Sequence, residues 1–206
     1  MAENFRKFKI AVVAAGLACA LAFLVNHLSA SAVVPVREKE NSLAGDKPVK
    51  EIKGYKNWTK VNAAPQLMPG RIAAACAIWL GAGGVVIDGE GNPHRHKYFT
   101  VYVNDTGGAA MLNQKSPKFP EGSVIVKEKL TAKDSQTPEL LTVMIKRHEG
   151  FNPESGDWEY MVVDGTGTKI EGRGKLENCQ GCHLSNQKTD YIFRTYLSDE
   201  AERVLK

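Results

Sequence analysis

The sequence predicts an α+β fold, an antiparallel β-sheet with a few peripheral helices. Three features of the 206 residues support this. Several segments between Lys97 and Gly174 are rich in β-branched and aromatic residues, as strands are. Short connectors dense in Gly, Pro and Asp join them, which suits antiparallel neighbours. The helical candidates are few and short and are expected at the periphery of the sheet. No internal repeat is present.

In chain order, residues 1–32 read as an export signal or membrane anchor. Arg6, Lys7 and Lys9 form a basic start, and Ile10 to Val25 is then apolar except for Cys19. That run is short against the ~20 residues a full span needs. Ala30-Ser31-Ala32 supplies a small-x-small cleavage site. The expected location is therefore periplasmic, either soluble after cleavage or tethered to the inner membrane through residues 10–25. Residues 33–54 are charged and without periodicity and are expected to be a flexible linker. The domain is expected over 55–206.

Gly70 to Ile78 is an alanine-rich helix candidate, ended by Gly81-Ala82-Gly83-Gly84, with a second turn cluster at Gly89 to Pro93. Lys97 to Val103 is the first strand. Thr106 to Gln114 is a short helix capped by Asp105 or Thr106, after which Pro117 and Pro120 break the chain. Ser123–Leu130, Leu140–Arg147 and Trp158–Val163 are strands, and Lys169–Gly174 is a return strand after the turn Asp164-Gly165-Thr166-Gly167. Glu177–Leu184 and Ser198–Leu205 are the remaining helices, the latter with Ser198 as N-cap.

Lys and Arg number 27 against 23 Asp and Glu. Without Arg6, Lys7, Lys9 and Glu3 of the leader, the excess of four falls to two. There is no long basic run, so no nucleic-acid partner is expected. Of the cysteines, Cys76 lies in an apolar segment and is expected to be a buried free thiol.

The densest chemistry lies in Cys179-Gln180-Gly181-Cys182-His183, the pattern by which c-type haem is attached. Two thioethers must reach the two vinyl groups on one porphyrin edge, and one helical turn separates the cysteines suitably. His183 is then carried under the iron as proximal ligand. A zinc site would need further Cys or His pairs nearby, and none follows His183. A thioredoxin-like dithiol would need a βαβ context, which the pattern lacks. One covalently bound haem c is expected. A motif this close to the C-terminus, among strands, is unlike the small all-helical electron-carrying cytochromes.

Four stretches carry a wider likeness: Phe119 to Glu128, Gly156 to Tyr160, Cys179 to His183, and Asp190 to Tyr196. Together they resemble the cytochrome P-460 family over roughly Tyr55 to Leu197. The resemblance implies a c-type haem against an antiparallel sheet and a homodimer. One kind of member oxidises hydroxylamine with a haem cross-linked to a lysine. Another, the cytochrome c-prime-beta type, has an apolar distal pocket and binds gases such as nitric oxide.

Carried over residue by residue, the cross-linking lysine falls on Lys127, in Val126-Lys127-Glu128. The alternative for Lys127 is a solvent-facing lysine covering a sheet edge. Period-two alternation puts Ser123, Ile125 and Lys127 on one face. The enzymes' distal carboxylate falls at Thr142, which cannot act as a proton acceptor. Their distal arginine falls at Phe99, which suits an apolar cap.

His94, His96, His148, Met144 and Met161 are candidates for the sixth iron position. His94-Arg95-His96 is expected to be a solvated loop, and a strand methionine is more often core than ligand. The iron is therefore expected to be five-coordinate, with an open distal site for a small-molecule ligand or substrate, served by a redox partner protein. A six-coordinate electron carrier is the alternative.

Overall fold

The computed structural model describes residues 48–78 and 94–197, the side chains of 75–78 excepted. The leader, most of the linker, the Gly81–Gly84 and Gly89–Pro93 turns, the Ser198–Leu205 helix and the Cys76 side chain lie outside the described residues. The described residues belong to one compact unit that begins at Ala44.

Among them, seven strands form one antiparallel sheet: β1 (Thr59–Lys60), β2 (Gln66–Leu67), β3 (Tyr98–Val103), β4 (Val124–Leu130), β5 (Leu140–Lys146), β6 (Trp158–Asp164) and β7 (Ile170–Gly174). From β3 to β7 the order follows the sequence, each strand pairing with the next. The five expected strands are therefore present, within a residue or two of their expected ends. The two short strands β1 and β2 were not expected. Both pair with the outer edge of β3, Thr59 opposite Val103 and Gln66 opposite Phe99.

Asn62 fills the gap between them. Its side-chain Oδ1 accepts from Val101 N at 2.8 Å, and its Nδ2 donates to Phe99 O at 3.1 Å and Ala64 O at 2.8 Å. The amide thus stands in for a strand where the chain turns away, and it is fully buried, as an amide with these partners can be.

Among the described residues, three α-helices flank the sheet: α1 (Gly70–Ile78), α2 (Asp105–Asn113) and α3 (Glu177–His183). The N-cap of α2 is Asn104, one residue before the expected Asp105 or Thr106. Asn104 Oδ1 accepts from Gly107 N at 3.1 Å and from Val124 N at 3.0 Å, tying the helix start to β4. A Cβ at Gly107 would come within 2.8 Å of the Val103 side chain, so glycine permits this approach to the sheet.

Alternation sorts the sheet into two faces. Val124, Val126, Leu141, Val143, Ile145, Met161 and Val163 pack with Val49, Ile52 and Tyr55 on one side. Because Val49 and Ile52 are buried there, the packed domain starts before Tyr55 and includes the end of the segment expected as linker. On the other side, Phe99, Val101, Ile125, Met144 and Tyr160 join the core that includes Ile192 and Tyr196. The register aligns Val101, Lys127, Thr142 and Val162 in one row across four strands.

Candidate functional site

Helix α3 carries both cysteines of the attachment motif. Their spacing of three places them on the same helix face, one turn apart. Gln180, between them, accepts from Asn152 Nδ2 at 2.9 Å through its Oε1, and its Nε2 donates to Lys175 O at 3.1 Å. Asn152 is itself buried and also donates to Trp158 O at 2.9 Å, so the motif is docked against the start of β6. Cys179 is a free thiol whose pKa is raised by burial. Cys182 is buried and disulfide-bonded.

His183 closes the helix. Its Nδ1–H donates to Tyr191 O at 2.7 Å, which leaves Nε2 as the nitrogen for a metal. Phe193 and Tyr160 flank the imidazole, with ring centroids 5.0 and 5.7 Å away. Burial, and to a lesser extent the Lys127 charge, lowers its pKa to about 4, so the ring is neutral at pH 7, as a metal ligand must be.

The carbonyl that receives this proton sits in an unusual turn. Asp190 and Tyr191 have φ of 53° and 66°, two consecutive non-glycine residues in the left-handed region. Such residues persist where their surroundings over-determine them. Here Asp190 Oδ1 and Oδ2 accept from Lys146 Nζ at 2.9 and 2.7 Å, and Oδ2 also from Phe119 N at 2.9 Å. The Asp190 carbonyl accepts from Trp158 Nε1 at 2.8 Å. The Tyr191 ring lies where a Cβ on Gly156 would come within 2.6 Å, so only glycine fits there.

Between α3 and the sheet is a cavity of about 310 Å³, within the range of small-ligand sites. Cys179, Cys182 and His183 line one side, and Phe99, Ile125, Lys127, Thr142 and Met144 the other. The structure thus brings Cys179, Cys182, His183, Lys127, Phe99 and Thr142 to one cavity. Lys127 is on β4, in the interior of the sheet, so the edge-covering alternative does not apply. Burial lowers its pKa to about 8 despite the opposing influence of Cys179, and Lys129 pushes the same way as burial. No Asp or Glu is among the described lining residues.

One expectation about the histidines needs correction. His94 is not a solvated loop residue: it lines the cavity, and burial, then Lys127 and Lys129, lower its pKa to about 4. Its chain neighbours are turn residues, which concealed this. Met161 packs in the core on the opposite face, as expected of a strand methionine, being one residue out of phase with Tyr160, although it also borders the cavity. His148 and His96 are exposed, whereas Met144 lines the cavity as its face predicts. Lys129 and Tyr196 also line it; Lys129 carries no distinguishing sequence signal, whereas Tyr196 ends the Asp190–Tyr196 stretch of the family likeness.

These residues fit a haem. Apolar walls would take a macrocycle, a neutral histidine presents Nε2, and a thiol lies beside it; only the Cys182 sulfur needs to be released first. Among the described residues, no group of three or more His, Cys, Asp or Glu could hold a bare metal ion. The family comparison agrees. The chain belongs to the cytochrome P460 family, whose pattern matches residues 52–194, and it is therefore a haem-binding cytochrome. No individual curated protein matches the chain.

Proposed function

We propose that the chain is an exported mono-haem c-type cytochrome with an open distal site, binding or acting on small nitrogen compounds such as hydroxylamine or nitric oxide. One observation carries this: the same cavity joins the attachment helix to Lys127 at the centre of a largely apolar sheet face. Cys179 and the reduced form of Cys182 would hold the haem by thioethers, with His183 Nε2 on the iron. When bound, the haem supplies an iron centre able to bind or oxidise such a ligand.

The chain's own residues set the limits of that chemistry. Lys127 has a sizeable neutral fraction near pH 8, so its amine would be able to accept or donate a hydrogen bond at the edge of a bound haem. Thr142, opposite Lys127 in the register, can orient a ligand by hydrogen bonding but cannot take up a proton. His94 is neutral at pH 7, but a pKa of about 4 makes it a weak base. Phe99 and Ile125 exclude water from the same wall. Binding is therefore favoured over rapid turnover. We further propose a periplasmic homodimer, released from residues 10–25 or tethered through them, that exchanges electrons with a redox partner protein.

His94 and Met144 favour a second reading, a six-coordinate electron carrier, because each lines the cavity and can ligate iron. The ferrous optical spectrum separates the two, high-spin for an open site and low-spin for a filled one. Turnover of hydroxylamine with an artificial electron acceptor, in the native protein and Lys127→Ala, decides between binding and catalysis. Robust turnover lost on substitution would make the chain an enzyme. Absence of turnover in both, with tight nitric oxide binding in both, would make it a ligand-binding protein.

A further inference from the structure

We propose that the Lys146–Asp190 ion pair is a positioning device for the iron's proximal ligand, holding the Tyr191 carbonyl on His183 Nδ1 and so setting how strongly His183 donates to the metal. The inference rests on the reading of His183 as that ligand.

The geometry is continuous from the pair to the imidazole. Lys146 ends β5, and its ammonium reaches both Asp190 oxygens at 2.9 and 2.7 Å while lying 5.1 Å from the centre of the Trp158 ring. Asp190 is 3% exposed, so little water competes for its carboxylate. Its oxygens also hold Phe119 N, and its carbonyl holds the Trp158 indole. These contacts keep Asp190 at a φ of 53°, and Tyr191 follows at 66°. Tyr191 N donates to Asn186 O at 2.7 Å, which fixes the residue's other side. The Tyr191 carbonyl then has one direction to point, at His183 Nδ1, 2.7 Å away.

A short hydrogen bond from Nδ1–H raises the basicity of the other ring nitrogen. A more basic ligand stabilises ferric over ferrous iron and strengthens the iron–histidine bond. Without the ion pair, two left-handed residues in succession would relax, and the carbonyl would turn from the ring.

The test uses haem-loaded protein, with haem content measured first. Lys146→Met and Asp190→Ala should shift the ferrous iron–histidine stretching band to lower frequency and the midpoint potential to more positive values. Lys146→Arg should restore both towards wild type. Should those two variants fail to fold, Asp190→Asn is the milder probe, because asparagine tolerates left-handed φ and keeps an acceptor for Phe119 N while losing the charge. It should show the same shifts at smaller size. Variants with lowered melting temperature but wild-type stretching band and potential would overturn the proposal and leave the pair merely structural. Wild-type protein lacking haem would overturn it together with the reading of His183.

Discussion

Lys127 shows how position converts an ordinary side chain into a reactive one. A lysine in a central strand, facing a cavity, loses hydration that the ammonium needs, and its pKa falls to about 8 from 10.5. The folded chain thus binds the proton less well than the unfolded one. The resulting cost is fully present below pH 8 and disappears as the pH rises from about 8 to 10.5. In haem-free protein, Lys127→Met should raise stability at pH 7 by about 1–3 kcal/mol, an advantage lost above about pH 10.5. Denaturant unfolding at the two pH values measures this, and an equal gain at both would contradict it. His94 works in the other pH range. Its folded pKa of about 4 lies below the ordinary 6.5, so stability falls as pH drops through that interval. His94→Gln should flatten part of the decline in melting temperature between pH 6.5 and about 4; an unchanged slope would count against burial of its neutral form.

Elements hold these residues in place through a few buried polar contacts. Asn62 is the clearest case, because it substitutes for a missing strand beside Phe99 and Val101, two cavity-lining residues. Asn62→Ala would leave the Val101 N–H buried without its partner and remove one of the donors to the Phe99 carbonyl. The expected cost is about 3 kcal/mol, read as a lowered denaturation midpoint with an unchanged slope. A loss below about 0.5 kcal/mol would mean that other donors and acceptors replace it. On the opposite face, Glu128 accepts from Tyr55 at 2.8 Å and lies 3.8 Å from Lys56, so the strand that presents Lys127 is also anchored from behind. At the β6–β7 margin, Glu159 joins Arg147 and Arg173, and Arg173 continues to Glu51 at 2.7 Å. Although burial works against them, these hydrogen bonds hold the Glu159 and Glu51 carboxyls below their usual range.

At the scale of the whole molecule, the state of Cys182 governs whether the site can be completed. A sulfur in a disulfide cannot add to a vinyl group. Two equivalents of an external thiol would reduce the bond, and the freed Cys182 S–H, like the S–H already free on Cys179, then adds across one C=C without further oxidant or reductant. Haem-free protein mixed with ferrous haem should therefore give a product doubly linked at Cys179 and Cys182 only after thiol treatment. Mass measurement of the haem peptide decides it. Equal double attachment without reductant would show that Cys182 is already free in solution.

How much of this was legible beforehand differs between kinds of feature. The strands of the meander, the attachment helix and the alternation that pairs Ile125 with Lys127 and Thr142 with Met144 follow from local patterns, whereas the places of Phe99, Lys127 and Thr142 at the site come from the family resemblance. The motif Cys179 to His183 likewise announces its chemistry without help from the fold. What only the tertiary structure decided depends on contacts distant in sequence. The burial of His94 arises from the sheet face it meets, and β1 and β2 form only because β3 offers an open edge. The left-handed turn at Asp190 and Tyr191 exists because Lys146, Phe119 and Trp158, between 32 and 71 residues away in sequence, converge on one carboxylate and its carbonyl. Local sequence specifies conformation, whereas such convergence is set by packing, and it is packing that places a neutral histidine beneath the cavity with its free nitrogen facing in.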